Sequence, residues 1–416
     1  MLNELKIEEL YGLYSYTIQF TEKKNPFIIT APNGFGKTTV LRIIHNLYMG
    51  NLWYYYYLPF KSIEMNFDGN VSIVINKTQI AEPDDNLENY STSVNLIVEG
   101  EHVEESIINA LYIKYLRRTV SPMRMRLGYQ RDEEFISLNY DLESDEYIHD
   151  KAPKLLEKIQ GLKCLMINEQ RLIENEIVGN NTVPYKTVDE IRKELTKYLQ
   201  EARNTYNRIS QEVDTTFLER LSHKDGLKQY KGFNNNKLLE EVKQTVELYK
   251  KYGLIDNLKI VDKIGVEYQE VLRLYLLDMQ KKLNSIKPFY EKLELFDSLV
   301  SGKQLSYKQL SFSGDGLSIK SSIGGDIPFH KLSSGEQNLM VLCYKLVFEL
   351  KNDQLLLIDE PENSLHMSWL ETLLADYKRV AKITGCRMII ATHSPAFIHG
   401  NWNLTYDLCE HGTVIQ

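Results

Sequence analysis

Residues 31–38 place two glycines, a lysine and a threonine in a spacing that can bind nucleotide phosphates. They read Ala-Pro-Asn-Gly-Phe-Gly-Lys-Thr, the P-loop pattern with Ala31 in place of its first glycine. Backbone N–H groups of such a loop can wrap a phosphate, Lys37 can reach the β- and γ-phosphates, and Thr38 can ligate Mg²⁺. We predict a phosphate-binding segment made of Asn33, Gly34, Phe35, Gly36, Lys37, Thr38 and Thr39.

Two adjacent carboxylates end the apolar segment Leu-Leu-Leu-Ile-Asp-Glu at residues 355–360. Side chains alternate along a strand, so Asp359 and Glu360 point differently and can take different roles. We predict that Asp359 holds Mg²⁺ and that Glu360 polarises an attacking water. An apolar strand with acidic residues at its end is common, and the P-loop upstream is what favours this interpretation.

A histidine follows a second apolar segment, Ile-Ile-Ala-Thr-His-Ser-Pro at residues 389–395. Most single histidines are structural. His393, however, follows a predicted strand end, where α/β sheets bind their ligands. We predict that His393 donates a hydrogen bond to a γ-phosphate.

The segment Lys-Leu-Ser-Ser-Gly-Glu-Gln, residues 331–337, opens onto an apolar run and predicts a helix start. Free N–H groups and the helix dipole make such a start favourable for an anion. A plain helix cap with Glu336 in the first turn fits the same residues.

The rest of the sequence predicts an α/β protein. The motifs described above lie in its N-terminal and C-terminal segments. Apolar strand, glycine loop and helix follow one another over residues 27–49, and Asp68-Gly69 predicts a hairpin turn. Apolar residues recur every three or four positions from Val188 onward, which predicts long amphipathic helices. We predict an N-terminal half over residues 1–150, a helical insertion over 151–295 that forms a short coiled-coil-like lid, and a C-terminal half over 296–416.

Length and composition are those of a folded, non-membrane protein. The chain has 416 residues, 43% hydrophobic and 25% charged, with no apolar stretch long enough for a bilayer and no signal-peptide core. Its four cysteines lack metal-ligand spacing, so we expect reduced thiols and a cytoplasmic location. The net charge of −8 argues against broad nonspecific DNA binding, although arginines between 117 and 131 could form either a nucleic-acid surface or a solvated face.

The order of the motifs resembles the ABC-type ATPases of the SMC, Rad50, RecF and overcoming-lysogenisation (OLD) branch. That resemblance implies an ATPase head with a mixed P-loop sheet, an antiparallel β subdomain and a helical insertion, and it implies ATP and Mg²⁺ as ligands. Heads of this branch pair head to tail, so a homodimer would be the minimum unit and higher oligomers remain open. The signature residues would then face nucleotide in trans: Ser333, Ser334, Gly335, Glu336 and Gln337.

The resemblance also assigns roles in the loops that follow two strands. Ser364 would reach across the dimer, and His366 stands where many relatives have an aspartate. A glutamine would contact Mg²⁺ and the attacking water; Gln170 is our choice over Gln130, which stays open.

Several segments, among them Ile-Asn-Glu-Gln-Arg-Leu and Ile-Asp-Glu-Pro-Glu-Asn-Ser-Leu-His, resemble the AriA-type ATPase subunits of the PARIS anti-phage system, with PtuA-type subunits of Septu as the alternative. This resemblance implies a phage protein as trigger and a nuclease or toxin effector. With about twenty residues after His393, we expect that effector on a separate polypeptide. A RecF-like repair ATPase that acts directly on DNA remains the alternative function.

Overall fold

The computed structural model describes residues 1–21, 23–79, 90–108, 152–178, 181–222, 235–256, 258–261, 265–303, 305, 307–314 and 316–414. The chain divides into two compact units. The first unit comprises Met1–Arg171, Asn175–Pro184 and Glu349–Gln416, and the second comprises Leu172–Glu174 and Tyr185–Phe348.

The strands of the described residues are β1 (Leu2–Leu10), β2 (Tyr14–Gln19), β3 (Phe27–Thr30), β4 (Ser62–Phe67), β5 (Val71–Gln79), β6 (Tyr90–Val98), β7 (Glu101–Ile108), β8 (Cys164–Ile167), β9 (Ile173–Val178), β10 (Asn181–Lys186), β11 (Lys308–Ser313), β12 (Gly316–Ser321), β13 (Asp326–Ile327), β14 (Leu355–Asp359), β15 (Arg387–Thr392), β16 (Thr405–Asp407) and β17 (Thr413–Val414).

The α-helices of the same residues are α1 (Lys37–Tyr48), α2 (Trp53–Tyr57), α3 (Pro153–Gln160), α4 (Thr187–Ser222), α5 (Asn235–Lys251), α6 (Gln269–Ser285), α7 (Lys287–Ser301), α8 (Ser334–Tyr344), α9 (Met367–Thr384), α10 (Pro395–Ile398) and α11 (Leu408–His411). Short 3₁₀ turns cover Val266–Tyr268, Phe329–Lys331 and Trp402–Leu404, and a π-helical turn covers Lys345–Glu349.

A five-stranded sheet in the first unit has the order β16-β3-β15-β14-β8, and every described pairing in it is parallel. Residues of β3, β14 and β15 are buried along their whole length, as expected for parallel strands covered on both faces. The register sets Asp359 beside Ala391 and Thr392 beside Thr30. The carboxyl ends of these three strands therefore meet at one edge.

A seven-stranded antiparallel sheet, β17-β2-β1-β4-β5-β6-β7, belongs to the same unit. Helix α1 packs on β8, β14 and β15, and one hydrophobic core joins Ile7 of the antiparallel sheet, Ile44 of α1 and Leu357 of the parallel sheet. The predicted hairpin is present: β4 and β5 pair around a turn in which Gly69 has φ 76°.

In the second unit α6 packs against both α4 and α5. Along α4 the buried apolar residues recur every three or four positions, the spacing of one helical face: Val188, Ile191, Leu195, Leu199 and Ala202. The unit also holds the small sheet β11-β12-β13 and helix α8.

The predicted α/β class is therefore confirmed, with an antiparallel sheet and a helical region. Within the part of the chain described above, no helix has the length and apolar character that crossing a bilayer requires. The predicted domain boundaries at 150 and 295 stay predictions.

Candidate functional site

The predicted phosphate loop connects β3 to α1. Gly34 and Gly36 have left-handed φ angles of 91° and 76°, which glycine adopts without a steric penalty. A Cβ on Gly34 would meet no atom within 4 Å, so the loop backbone borders open space. Gly36 is the N-cap of α1 and supplies no side-chain cap. The first N–H groups of α1 therefore lack an N-cap side-chain acceptor, as an anion site requires.

Lys37 folds back over this loop. Only 6% of its side chain is exposed, and Nζ donates to the carbonyls of Ala31 at 2.9 Å and Pro32 at 3.3 Å. Nζ also lies 3.7 Å from Oε1 of Glu360. The predicted phosphate-binding lysine and the predicted base therefore share one corner of the first unit.

Asp359 ends β14 beside the start of α1. Burial raises the pKa of its carboxyl group, and a hydrogen bond from Thr38 and the charge of Arg42 oppose that rise. Oδ1 of Asp359 is buried and has no hydrogen-bond partner among the described residues. A buried carboxylate oxygen next to a threonine hydroxyl is an oxygen donor set of the kind that Mg²⁺ prefers. These residues fit a magnesium ion.

Glu360 contacts His393 directly. Its Oε2 lies 2.5 Å from Nδ1 of His393, and its φ of 44° is left-handed. Burial raises the pKa of the Glu360 carboxyl group, as does the charge of Glu362, while His393 and Lys37 oppose the rise. A carboxylate with a raised pKa is a better proton acceptor, which suits a group that polarises water.

Glu362 is a residue of this corner that the sequence prediction missed. Its side chain is 8% exposed, and Oε1 accepts hydrogen bonds from the Thr392 hydroxyl and from the backbone N–H of His393. One ligand atom each from Glu360, Glu362 and His393 lies within 4.8 Å of the others, so the three could together hold a cation. A second glutamate two residues after Glu360 was the available sequence signal.

The loops beside β8 and β14 contact each other. Gln170 is exposed, three residues after β8, the strand that pairs with β14. Oε1 of Glu169 accepts a hydrogen bond from Asn363 Nδ2 at 2.9 Å. Ser364 is exposed with φ 60°. His366 is the N-cap of α9 and its ring accepts from the Ser368 N–H.

Tyr11 is a second neighbour of the phosphate loop that the sequence prediction did not include. Its hydroxyl lies 3.1 Å from Oγ1 of Thr39. The loop is further held by Tyr16, whose hydroxyl donates to the Phe35 carbonyl at 2.8 Å. No sequence motif marks these tyrosines.

The signature residues belong to the second unit. Ser333 is the N-cap of α8, and with Glu336 it forms a capping box: each side chain accepts from the other residue's backbone N–H. Ser333 and Ser334 are exposed, Gly335 and Gln337 are partly exposed, and Glu336 is buried. The helix cap that we considered for this segment is therefore present. Gln130 and the arginines between 117 and 131 lie outside the described residues.

Comparison with known proteins identifies the family. A family model described as an AAA ATPase domain matches residues 1–398. The chain belongs to the AAA ATPase domain family. This AAA ATPase domain covers both chain segments that carry the site, and the protein is accordingly an ATPase.

Solved SMC head structures are similar to this AAA ATPase at low identity. The SmcHead bound to the C-winged helix domain of ScpA is 11% identical, covering 96% of this chain and 91% of that one, with a TM-score of 0.37. An Smc head bound to the C-terminal domain of ScpA, from Pyrococcus furiosus, is 12% identical, with coverage of 95% and 90% and a TM-score of 0.35. The SMC head from Thermotoga maritima is 11% identical, with coverage of 100% and 98% and a TM-score of 0.34. No curated protein sequence gives a significant match.

Proposed function

We propose that this AAA ATPase is an ABC-type subunit of an anti-phage defence complex, in which two copies bind ATP head to tail and control a separate nuclease or toxin effector. The observation that carries the ATPase part is the corner formed by Lys37, Glu360 and His393, with 3.7 Å and 2.5 Å between neighbouring groups. The defence part rests on the sequence resemblance to AriA-type and PtuA-type subunits. A phage protein is the proposed trigger.

The proposed mechanism begins with the phosphate loop. Lys37 now donates to two loop carbonyls, and the β- and γ-phosphates of ATP would replace these acceptors with charged ones, which bind an ammonium more strongly. Loop N–H groups from Asn33 to Thr39 would hold the remaining phosphate oxygens. The triphosphate would thereby be fixed next to Glu360.

Glu360 would accept the proton of the attacking water, and His393 would hold Glu360 in place and donate to the γ-phosphate. Mg²⁺, when bound, would be held by Thr38, Asp359 and Gln170 and would neutralise phosphate charge. Hydrolysis is thus proposed to depend on this metal.

The trans half of the site would come from a second copy. Its Ser333, Ser334, Gly335 and Gln337 would approach the γ-phosphate, its Glu336 would hold Ser333 from within the helix start, and its Ser364 would reach across the interface. The exposure of Ser333, Ser334 and Ser364 supports this assignment, since residues that bind a partner's nucleotide must be accessible in the free chain. Closure of the dimer over ATP would be the signal to the effector.

The test uses Glu360→Gln, which keeps the size of the side chain and removes the base. We expect this variant to bind ATP still and its turnover to fall about a hundredfold or more. We also expect ATP to drive dimer formation, which light scattering measures. Lys37→Ala should abolish nucleotide binding and protection against phage, whereas Lys154→Ala, at an exposed position of α3, should change neither. Protection that survives Lys37→Ala contradicts the mechanism.

The alternative function, a repair ATPase that acts directly on DNA, predicts a different result. Salt-dependent binding of duplex DNA that stimulates ATP turnover, without any copurifying effector, would favour a RecF-like repair function over defence.

A further inference from the structure

A partly buried ion pair lies next to the signature residue Ser333. Nζ of Lys308, the first residue of β11, donates to both carboxylate oxygens of Glu336 at 2.7 Å. The Glu336 side chain is 8% exposed and that of Lys308 is 22% exposed. Because this pair has two short, charge-assisted contacts and limited solvent, water and salt screen it less than they screen an exposed ion pair.

The Glu336 carboxylate also contacts Ser333. Its Oε2 accepts from the Ser333 backbone N–H at 2.8 Å and from the Ser333 hydroxyl at 2.9 Å. Burial favours a higher pKa for Glu336, but hydrogen bonds from Lys308 and Ser333 bring the pKa below its ordinary value. Glu336 is therefore ionised at neutral pH, and the Ser333 hydroxyl is directed by a charged group.

An ionised glutamate in the first turn of α8 conflicts with the proposed role of that helix start. A carboxylate stabilises the helix by its dipole, but it repels an incoming triphosphate at short range. Lys308 offsets that repulsion because it contacts both carboxylate oxygens. When Ser333 turns its hydroxyl toward a phosphate, Glu336 still keeps Lys308 and the backbone N–H as partners.

We propose that Lys308 is a positioning residue for the signature site: it neutralises Glu336, so that Ser333 can be held by a carboxylate and still meet the γ-phosphate of a second copy. This inference rests on the proposed trans site. It adds a residue that no motif contains, 25 positions before Ser333.

Variants that remove one or both charges distinguish charge compensation by Lys308 from a role in packing. We would measure ATP-driven self-association of the full chain by sedimentation in the Glu360→Gln background. The variants compared are Lys308→Met, Glu336→Gln and the double variant. We expect Lys308→Met to weaken association about tenfold or more, because it leaves the buried Glu336 carboxylate without a counter-charge where the triphosphate would bind. The double variant should recover to within about threefold of the background, since glutamine can still cap the helix and no charge remains.

Two further variants sharpen the comparison. Lys308→Arg should associate like the background because it restores the positive charge. Lys320→Met removes an exposed lysine from β12, in the same small sheet, and should have no effect. Glu336→Gln alone should associate at least as tightly as the background, because Lys308 then adds a positive charge near the phosphate.

Each contrary result has one meaning. Unchanged association in Lys308→Met, or a double variant as weak as Lys308→Met, overturns the inference and leaves the trans site standing. If the Glu360→Gln background binds ATP but does not self-associate, the trans site itself fails, and the inference with it. Should Lys308→Met unfold at the assay temperature, Glu336→Gln decides: a tenfold loss there shows that the carboxylate is itself required and overturns charge compensation.

Discussion

Arg171 donates a hydrogen bond from Nη2 to the backbone carbonyl of Pro361 at 3.0 Å, across 190 residues of sequence. The same nitrogen lies 3.2 Å from the carbonyl of Asn363. Arg171 is 2% exposed, and it follows Gln170 directly. The loop after β8 and the loop after β14 are therefore joined by a buried charged group as well as by Glu169 and Asn363.

This contact predicts that Arg171→Met destabilises the protein by about 3 kcal/mol, because one buried and one partly buried carbonyl lose a charged donor. Arg171→Lys should lose less, since an ammonium can still donate to one carbonyl. Urea denaturation followed by circular dichroism measures both. Lys154→Met, at an exposed position of α3, is the control and should leave the free energy of unfolding unchanged. Equal stability of Arg171→Met and wild type would mean that these bonds do not hold the loops in solution.

Ser364 offers a test that separates stability from function. Its φ of 60° costs a non-glycine residue about 1 kcal/mol. Ser364→Gly should therefore raise stability by roughly that amount, whereas Ser364→Ala should leave stability nearly unchanged. If the hydroxyl reaches a second copy as proposed, both substitutions should lower ATP turnover. Thermal unfolding measures the stability of both variants, and phosphate release measures their turnover. Wild-type turnover in Ser364→Ala would contradict the proposed role of Ser364 at the interface.

Local sequence signals were enough to predict which residues of the candidate site lie at strand ends. Asp359 and His393 each follow an apolar segment, and parallel pairing of β14 with β15 brings those ends together. The phosphate loop was predictable because strand, glycines and helix are contiguous. In each case a short segment determines its own local geometry, and parallel pairing in the sheet brings the segments next to one another.

The residues that support the site could not be predicted in the same way. Arg171 and Lys308 act on partners 190 and 28 residues away, and their side chains meet those partners only after the strands and helices have packed. Tyr11 reaches Thr39 across 28 residues for the same reason. The chain has 49 lysines and arginines and 27 tyrosines, so nothing in the sequence distinguished these three.

Substitution of Asp359 by asparagine should raise the stability of the protein and lower its activity. Its carboxylate is buried with an unpaired oxygen, so Asp359→Asn should stabilise the metal-free protein by an amount on the order of 1 kcal/mol. The same change should greatly weaken the dependence of turnover on Mg²⁺, and EDTA should stop turnover in the wild type. Unfolding is measured in EDTA, and phosphate release is measured across a magnesium titration. Wild-type magnesium dependence in Asp359→Asn would contradict the predicted metal role.

His45 makes stability depend on pH. It lies in the last turn of α1, the helix that follows the phosphate loop, and burial lowers the pKa of its imidazole from 6.5 to about 4. Between these values the unfolded chain binds a proton that the folded chain does not. Stability therefore rises with pH through this window and is lost as the pH falls from 6.5 toward 4, by up to about 3 kcal/mol.

His45→Gln removes the titrating group, so the difference in unfolding free energy between wild type and variant should shrink or change sign between pH 7 and pH 4.5. His399→Gln, at an exposed position of the same unit, is the control substitution. Chemical denaturation at several pH values gives these slopes. Because carboxylates also titrate near pH 4, only the difference between the two variants isolates His45; identical slopes for both would show that its imidazole is not held neutral by burial.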